Sequence, residues 1–194
     1  MKYPTDIKIV DLNQEYLIAF DNETTGLSLP QNAPLADQPS IIEFAGVKLR
    51  WDTLEEVDEL EFICKPPKEI EPVITNITGL TNDDLADKLP FAAHLPTLQQ
   101  FFFGTRHMVA HNIGFDRDMI SYELRRLGKI REFPWPIQHH CTIEASFDIE
   151  GKRQKLVNLH QMLIGEPLVK AHRAMNDVRG MVKCIRVLRE QGRI

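Results

Sequence analysis

The first apolar run of the chain is closed by two acids. In "FDNETTGL" (20–27), Asp21 and Glu23 follow directly on Leu17-Ile18-Ala19-Phe20. A short apolar run that stops abruptly reads as a buried strand. Side chains alternate along a strand, so both carboxylates point to the same side at its end. They repel each other and lose hydration if buried, so a partner cation or a metal ion is required. Two more acids raise the same question. Asp116, at the end of "HNIGFD" (111–116), falls in the first turn of a helix, where the macrodipole favours an acid and Asn112 is placed to cap. Asp177, at the end of "HRAMND" (172–177), shares a helix face with Met181, Cys184 and Leu188. That is the i, i+4, i+7, i+11 spacing of a core stripe. An acid at the inner end of such a stripe is paired, protonated or metal-bound.

The local sequence supplies no evident cation. Arg117 and Arg179 lie near two of the acids, but side chains one or two places apart on a helix do not face each other. Carboxylate oxygens with no thiolate nearby suit magnesium or manganese. Two such ions about 3.5–4 Å apart are a recurring device for in-line attack on a phosphodiester. The attacking water then needs a base near neutrality, and His172, five residues before Asp177, is of the residue type that titrates there. "HHC" (139–141) has no second cluster with ligand spacing to complete a zinc site, so strand or loop is the preferred reading. Glu43 interrupts the alternating set Ile41, Ala45, Val47, Leu49 and reads as a buried polar tie.

The elements that must position these residues are legible in outline. Ser28 to Ser40, with Pro30, Pro34 and Pro39, is a surface loop. "IIEFAGVKLR" (41–50) and "VDELEFICK" (57–65) are β-rich and closely connected, so with the first strand they form an antiparallel meander. Helices are expected over 81–89, opened by Thr81, and over 91–103, despite Pro96. A strand at 107–112, a helix at 115–128, a strand near 138–142 and helices at 155–165 and 175–192 complete the chain. The fold class is therefore α/β, a mixed sheet with helices on its faces. The 194 residues form a single domain with its own core.

Composition excludes several classes. A net charge of −5 argues against a protein that coats nucleic acid through bulk positive charge, though not against a nucleic-acid enzyme with its acids gathered in one site. No secretory h-region or bilayer-length apolar run is present, and three scattered cysteines give no disulfide framework. The expected location is cytoplasmic, away from any membrane.

With the three motifs in this order, the chain resembles the DnaQ-like, or DEDDh, 3′→5′ exonucleases, over about residues 16–188. "FDNETTGL", "HNIGFD" and "HRAMND" match the family's three motifs, and "PPKEIEPVITNITGLTNDDL" (66–85) is similar to the segment ahead of its helical region. The resemblance implies a ribonuclease H-like fold, two Mg2+ or Mn2+ ions held by Asp21, Glu23, Asp116 and Asp177, and His172 as general base, which places the chain in the histidine branch. It further implies that Thr24 presents its backbone near the terminal 3′-hydroxyl, that Leu27 wedges beside the terminal base and that Phe115 packs against it. For Leu27 and Phe115 the competing reading is local core. His111 and Asn112, also of the second motif, line the substrate side as support rather than chemistry. The implied substrates are single-stranded 3′ ends, DNA or RNA, with a DNA polymerase or repair complex as a further partner and proofreading as one role. The proline-rich loop exceeds the family's usual link and is placed to shape access. The alternative from another class is a catalytically silent nucleic-acid-binding or polymerase-docking module; loss of any of the five site residues would have favoured it, and all five are present. The basic runs "RRLGKIR" (125–131) and "KRQK" (152–155) are candidates for phosphate contact, set against solvated surface.

Overall fold

The computed structural model describes residues 14–169 and 172–194. Five strands form one mixed sheet in the order β3-β2-β1-β4-β5. β1 (Tyr16–Thr24), β2 (Ile41–Arg50) and β3 (Glu56–Ile63) make the expected antiparallel meander, while β4 (His107–Ala110) and β5 (Gln138–Cys141) run parallel to β1. The first strand is longer than its apolar run, because Asp21 and Glu23 lie within β1 and not after it.

The alternation of β1 and β2 divides the core into two layers. Ile18, Phe20, Phe44 and Met108 face α3 (Phe91–Phe102) and α4 (Ile113–Arg126), where a ring cluster including Phe62, Phe101, Phe102 and Phe133 fills the space. Leu17, Ala19, Ala45, Val47 and Leu49 face the other way, onto Val178, Met181 and Ile185 of α8 (Ala174–Glu190). Pro96 is accommodated inside α3.

Five further helical segments precede or follow these, two of them single turns, and the first was not expected. α1 (Pro72–Thr78) starts on a proline in its first turn and ends on Gly79 at φ 76°, so its stop signals are ordinary while its β-branched composition hides it. α2 (Asn82–Ala86) is opened by a full capping box between Thr81 and Asp84. Two single turns, α5 (Thr142–Ala145) and α6 (Phe147–Glu150), lead to α7 (Leu156–Ile164). The "HHC" run is β5, and the three cysteines are buried and free.

Candidate active site

The site lies where β1 outruns β4. Pairing between these parallel strands ends at Ala19 with Val109. The chain then leaves β4 and starts α4, whose first turn takes the place of a strand partner. Asn22 N donates to Asp116 Oδ1 at 3.1 Å, and Asn22 Nδ2 donates to Asp116 O at 3.2 Å and to Oδ1 at 3.3 Å. Asp116 is thus buried and fixed to the strand that carries Asp21 and Glu23. The expected helix cap is corrected: Asn112 makes no side-chain cap bond, and its Oδ1 instead accepts from Arg153 at 3.4 Å.

On the other face, the row Leu17, Ala19, Asp21, Glu23 runs out from under α8, so the two acids meet the start of that helix. Asp177, in its first turn, accepts from the backbone N–H of His172 at 3.0 Å through Oδ2. Its Oδ1 is buried and has no hydrogen-bond partner among the described residues. His172 has φ 68°, a left-handed conformation that costs a non-glycine residue on the order of 1–2 kcal/mol. That cost is compatible with a side chain being aimed: Glu23, His172 and Asp177 each bring one ligand-type atom within 4.8 Å of the others.

Electrostatics bind the four acids into one system. Burial holds the Asp21 carboxyl well above its usual range, and the charges of Asp116, Glu23 and Asp177 raise it further, in that order. Glu23 is pushed up to about 7, by burial first and then by Asp177, Glu43 and Asp116, with Arg173 opposing. Asp116 is raised by burial against the lowering effect of its Asn22 hydrogen bonds. Asp177 is raised by burial, while the His172 N–H and ring charge pull it down. Four carboxyls that resist ionising together, and one buried oxygen without a donor, fit a bound divalent cation. The carboxylate oxygens of this donor set suit magnesium or manganese, with one imidazole nitrogen at hand beside them.

The surroundings sort the remaining candidates. Leu27 is 81 % exposed, which removes the local-core reading for it. Phe115 is partly buried against the ring cluster. Thr24 is buried, and its hydroxyl donates to Gly26 O at 2.7 Å, closing the turn after β1. His111 spends both ring nitrogens within the protein, Nδ1 on Thr142 Oγ at 2.8 Å and Nε2 on Gln154 O at 2.9 Å. It is a support for the loop before α7 and has no ring nitrogen left for substrate. The cation missed in the sequence is Arg173, which pairs with the buried Glu43. Arg179 binds Glu56 and Glu59, and Arg117 lies beside Asp118, so neither serves the site. Among the basic runs, Arg126 is engaged internally, on Leu35 O, Gln38 O, Pro39 O, Ser40 Oγ and Glu123, which corrects its reading as a phosphate contact. Lys129 is paired with Glu132.

Residues 18–185 match the family model RNase T, described as exonuclease. The chain belongs to this exonuclease family. Within it the resemblance to the DnaQ-like, DEDDh members holds, and the family uses divalent metal ions. The chain is 30 % identical over 194 residues to a PolC-type DNA polymerase III of Staphylococcus haemolyticus, covering 97 % of this chain and 12 % of that protein. It is 29 % identical over 161 residues to the DNA polymerase III subunit epsilon of Treponema pallidum, covering 83 % of this chain and 70 % of that one. The exonuclease family member thus spans about an eighth of the PolC-type relatives it matches. Its fold is shared with the nuclease domain of 3′hExo, a DEDDh family member solved bound to rAMP. The TM-score is 0.71 at 17 % identity, with 92 % of each chain covered. Exonuclease I is similar at a TM-score of 0.70 and 21 % identity, over 91 % of this chain and 43 % of that one. These likenesses show a ribonuclease H-like fold.

Proposed function

We propose that this chain is a 3′→5′ exonuclease that removes nucleotides one at a time from single-stranded 3′ ends and releases nucleoside 5′-monophosphates. The observation that carries this reading is the convergence of Asp21, Glu23, Asp116 and Asp177, from three separate motifs, with His172 beside them. Two Mg2+ or Mn2+ ions held by these four carboxylates would supply water activation and charge neutralisation at the leaving oxygen. The protein's own groups do the rest. His172 takes the proton of the water that attacks the terminal phosphorus. The P–O3′ bond to the penultimate nucleotide breaks, and the shortened strand leaves with a 3′-hydroxyl protonated from solvent.

We assign Leu27, exposed after β1, to apolar contact with the terminal base, and Phe115 to a second such contact. Apolar contact of this kind tolerates any base. Thr24 offers backbone at the terminal sugar, and Asn112 with His111 supports the wall that the loop 151–155 forms. Lys152, Arg153 and Lys155 are exposed beside that wall, and we assign them to the phosphates upstream of the cut.

The likeness to PolC-type DNA polymerases III and to a DNA polymerase III subunit epsilon supports proofreading beside a DNA polymerase as the cellular role. A catalytically silent docking module is the weaker reading, because it gives no reason to retain a strained histidine among four mutually repelling acids. The test is incubation of purified protein with matched 5′-labelled DNA and RNA oligomers in magnesium, manganese or chelator. Laddering from the 3′ end with either ion and none in chelator is expected. Full activity in excess chelator would sink the metal-dependent mechanism.

A further inference from the structure

A fifth carboxylate stands in the wall of this site. Glu43 is opposite Glu23 in the β1–β2 register and is fully buried, and its charge pushes up the carboxyls of Asp21, Glu23 and Asp177. A buried carboxylate in such company is costly unless it is paired and hydrogen-bonded. Arg173 does both. Its Nε donates to Oε1 at 3.1 Å and Oε2 at 3.2 Å, its Nη2 donates to Oε1 at 2.9 Å, and Ala174 N donates to Oε2 at 3.3 Å.

These four bonds land on the two residues that follow His172. Arg173 is the N-cap residue of α8 and Ala174 its first residue. His172 is therefore held from both directions: its own N–H bonds to Asp177, and its C-terminal neighbour is forked onto β2. A residue at φ 68° stays there only when the structure around it over-determines the conformation.

We propose that the Glu43–Arg173 ion pair is the positioning device of this site. It pins the start of α8 to β2, which sets His172 and Asp177 against Glu23. It also neutralises the fifth carboxylate, so that four and not five acids draw cations into the site. Neither residue touches the reacting atoms. The inference rests on the metal-dependent nuclease reading above.

The test compares Glu43→Gln, Arg173→Gln and their double variant with the parent protein. Turnover of a single-stranded oligonucleotide is followed in saturating Mn2+, and Mn2+ affinity is read separately from the free-ion paramagnetic resonance signal. Each single substitution should lower kcat roughly 10–100-fold, the range for a lost outer-shell partner, with KM held. Mn2+ affinity should move in opposite directions: weaker in Glu43→Gln, where the Arg173 charge is uncompensated, and tighter in Arg173→Gln, where Glu43 adds attraction. In the double variant affinity should return toward the parent value, and the turnover loss should not exceed that of a single variant, because the two residues act as one unit. Parental kcat in either single variant overturns the proposal. So does a rise in KM at constant kcat in Arg173→Gln, which would make Arg173 a substrate contact, and so do additive losses. Should Arg173→Gln not fold, Arg173→Lys keeps the charge but cannot fork. It is expected to lose kcat by a smaller factor, and parental kcat there is equally fatal. A parent protein that neither binds Mn2+ nor cleaves brings down the nuclease reading itself, a failure distinct from uncoupled variants of an active parent.

Discussion

His172 is the residue whose role is most open to direct measurement. One of its ring nitrogens lies within 4.8 Å of carboxylate oxygens of Glu23 and Asp177, so it is geometrically fit to be either a base or a metal ligand. As a base, His172→Ala should leave divalent-ion affinity intact and lower cleavage by about 10²–10⁴-fold, the usual loss for an acid–base group. Loss of ion binding in that variant would make it a ligand or a support for Asp177. Asp21 tests the other half of the chemistry. Asp21→Asn should abolish turnover, yet it removes a charge that Asp116, Glu23 and Asp177 all oppose. The metal-free variant should therefore melt higher, by on the order of 2–4 °C if about 1 kcal/mol is relieved in a domain of this size. A lower melting temperature would mean that Asp21 is a structural pair member. At this scale the sequence was informative where motifs are contiguous: Asp21 with Glu23, and His172 with Asp177, are each set by local spacing. It was silent on Arg173, because the partner is 130 positions away and only the fold brings Glu43 to it.

Elements were legible wherever hydrophobic period and punctuation agreed. β2 and α3 fall within a residue or so of their expected spans. α1 was missed because "PVITNIT" is rich in β-branched residues, and only the proline at its start and the αL glycine after its end betray it. Side-chain ties between elements were not legible at all, and the proline-rich loop shows why. Gln38 folds back on Leu29 and Pro30, and Arg126 of α4 collects carbonyls from Leu35 to Pro39. Arg126→Ala should lower stability by about 1–3 kcal/mol, since it also strips the ion pair from the buried Glu123. It should speed proteolysis within 28–40 while leaving the salt slope of oligonucleotide binding unchanged. A shallower slope would return Arg126 to the phosphate contacts. Packing between β2 and α3 gives a second case. A Cβ on Gly46 would lie 2.8 Å from Phe101 Cε1 and 3.2 Å from Phe44 Cζ, both on buried rings. Gly46→Ala is expected to cost about 1–3 kcal/mol by overpacking, read from denaturant midpoints, and an unchanged midpoint would show that α3 can retreat.

At the scale of the whole molecule, the site makes stability depend on pH and on metal together. Glu23 is raised from 4.5 to about 7 in the fold, and Asp21, Asp116 and Asp177 are raised with it. Between the two values for Glu23 the folded chain holds more protons than the unfolded one, so stability falls as pH rises through that window. The chelated protein should accordingly melt lower at pH 8 than at pH 5.5. A divalent ion reverses this, because it binds the ionised carboxylates and not their acids. At a hundredfold excess over Kd it adds about 2.7 kcal/mol to the fold, and this gain should be realised at pH 8 and shrink toward pH 5.5 as protons compete for the same oxygens. Thermal melts at the two pH values, with chelator and with Mn2+, measure all four corners. A chelated protein that melts higher at pH 8, or an ion effect equal at both pH values, would mean that the four acids ionise without mutual penalty, and the case for a metal-bound cluster at the end of β1 would fall with it.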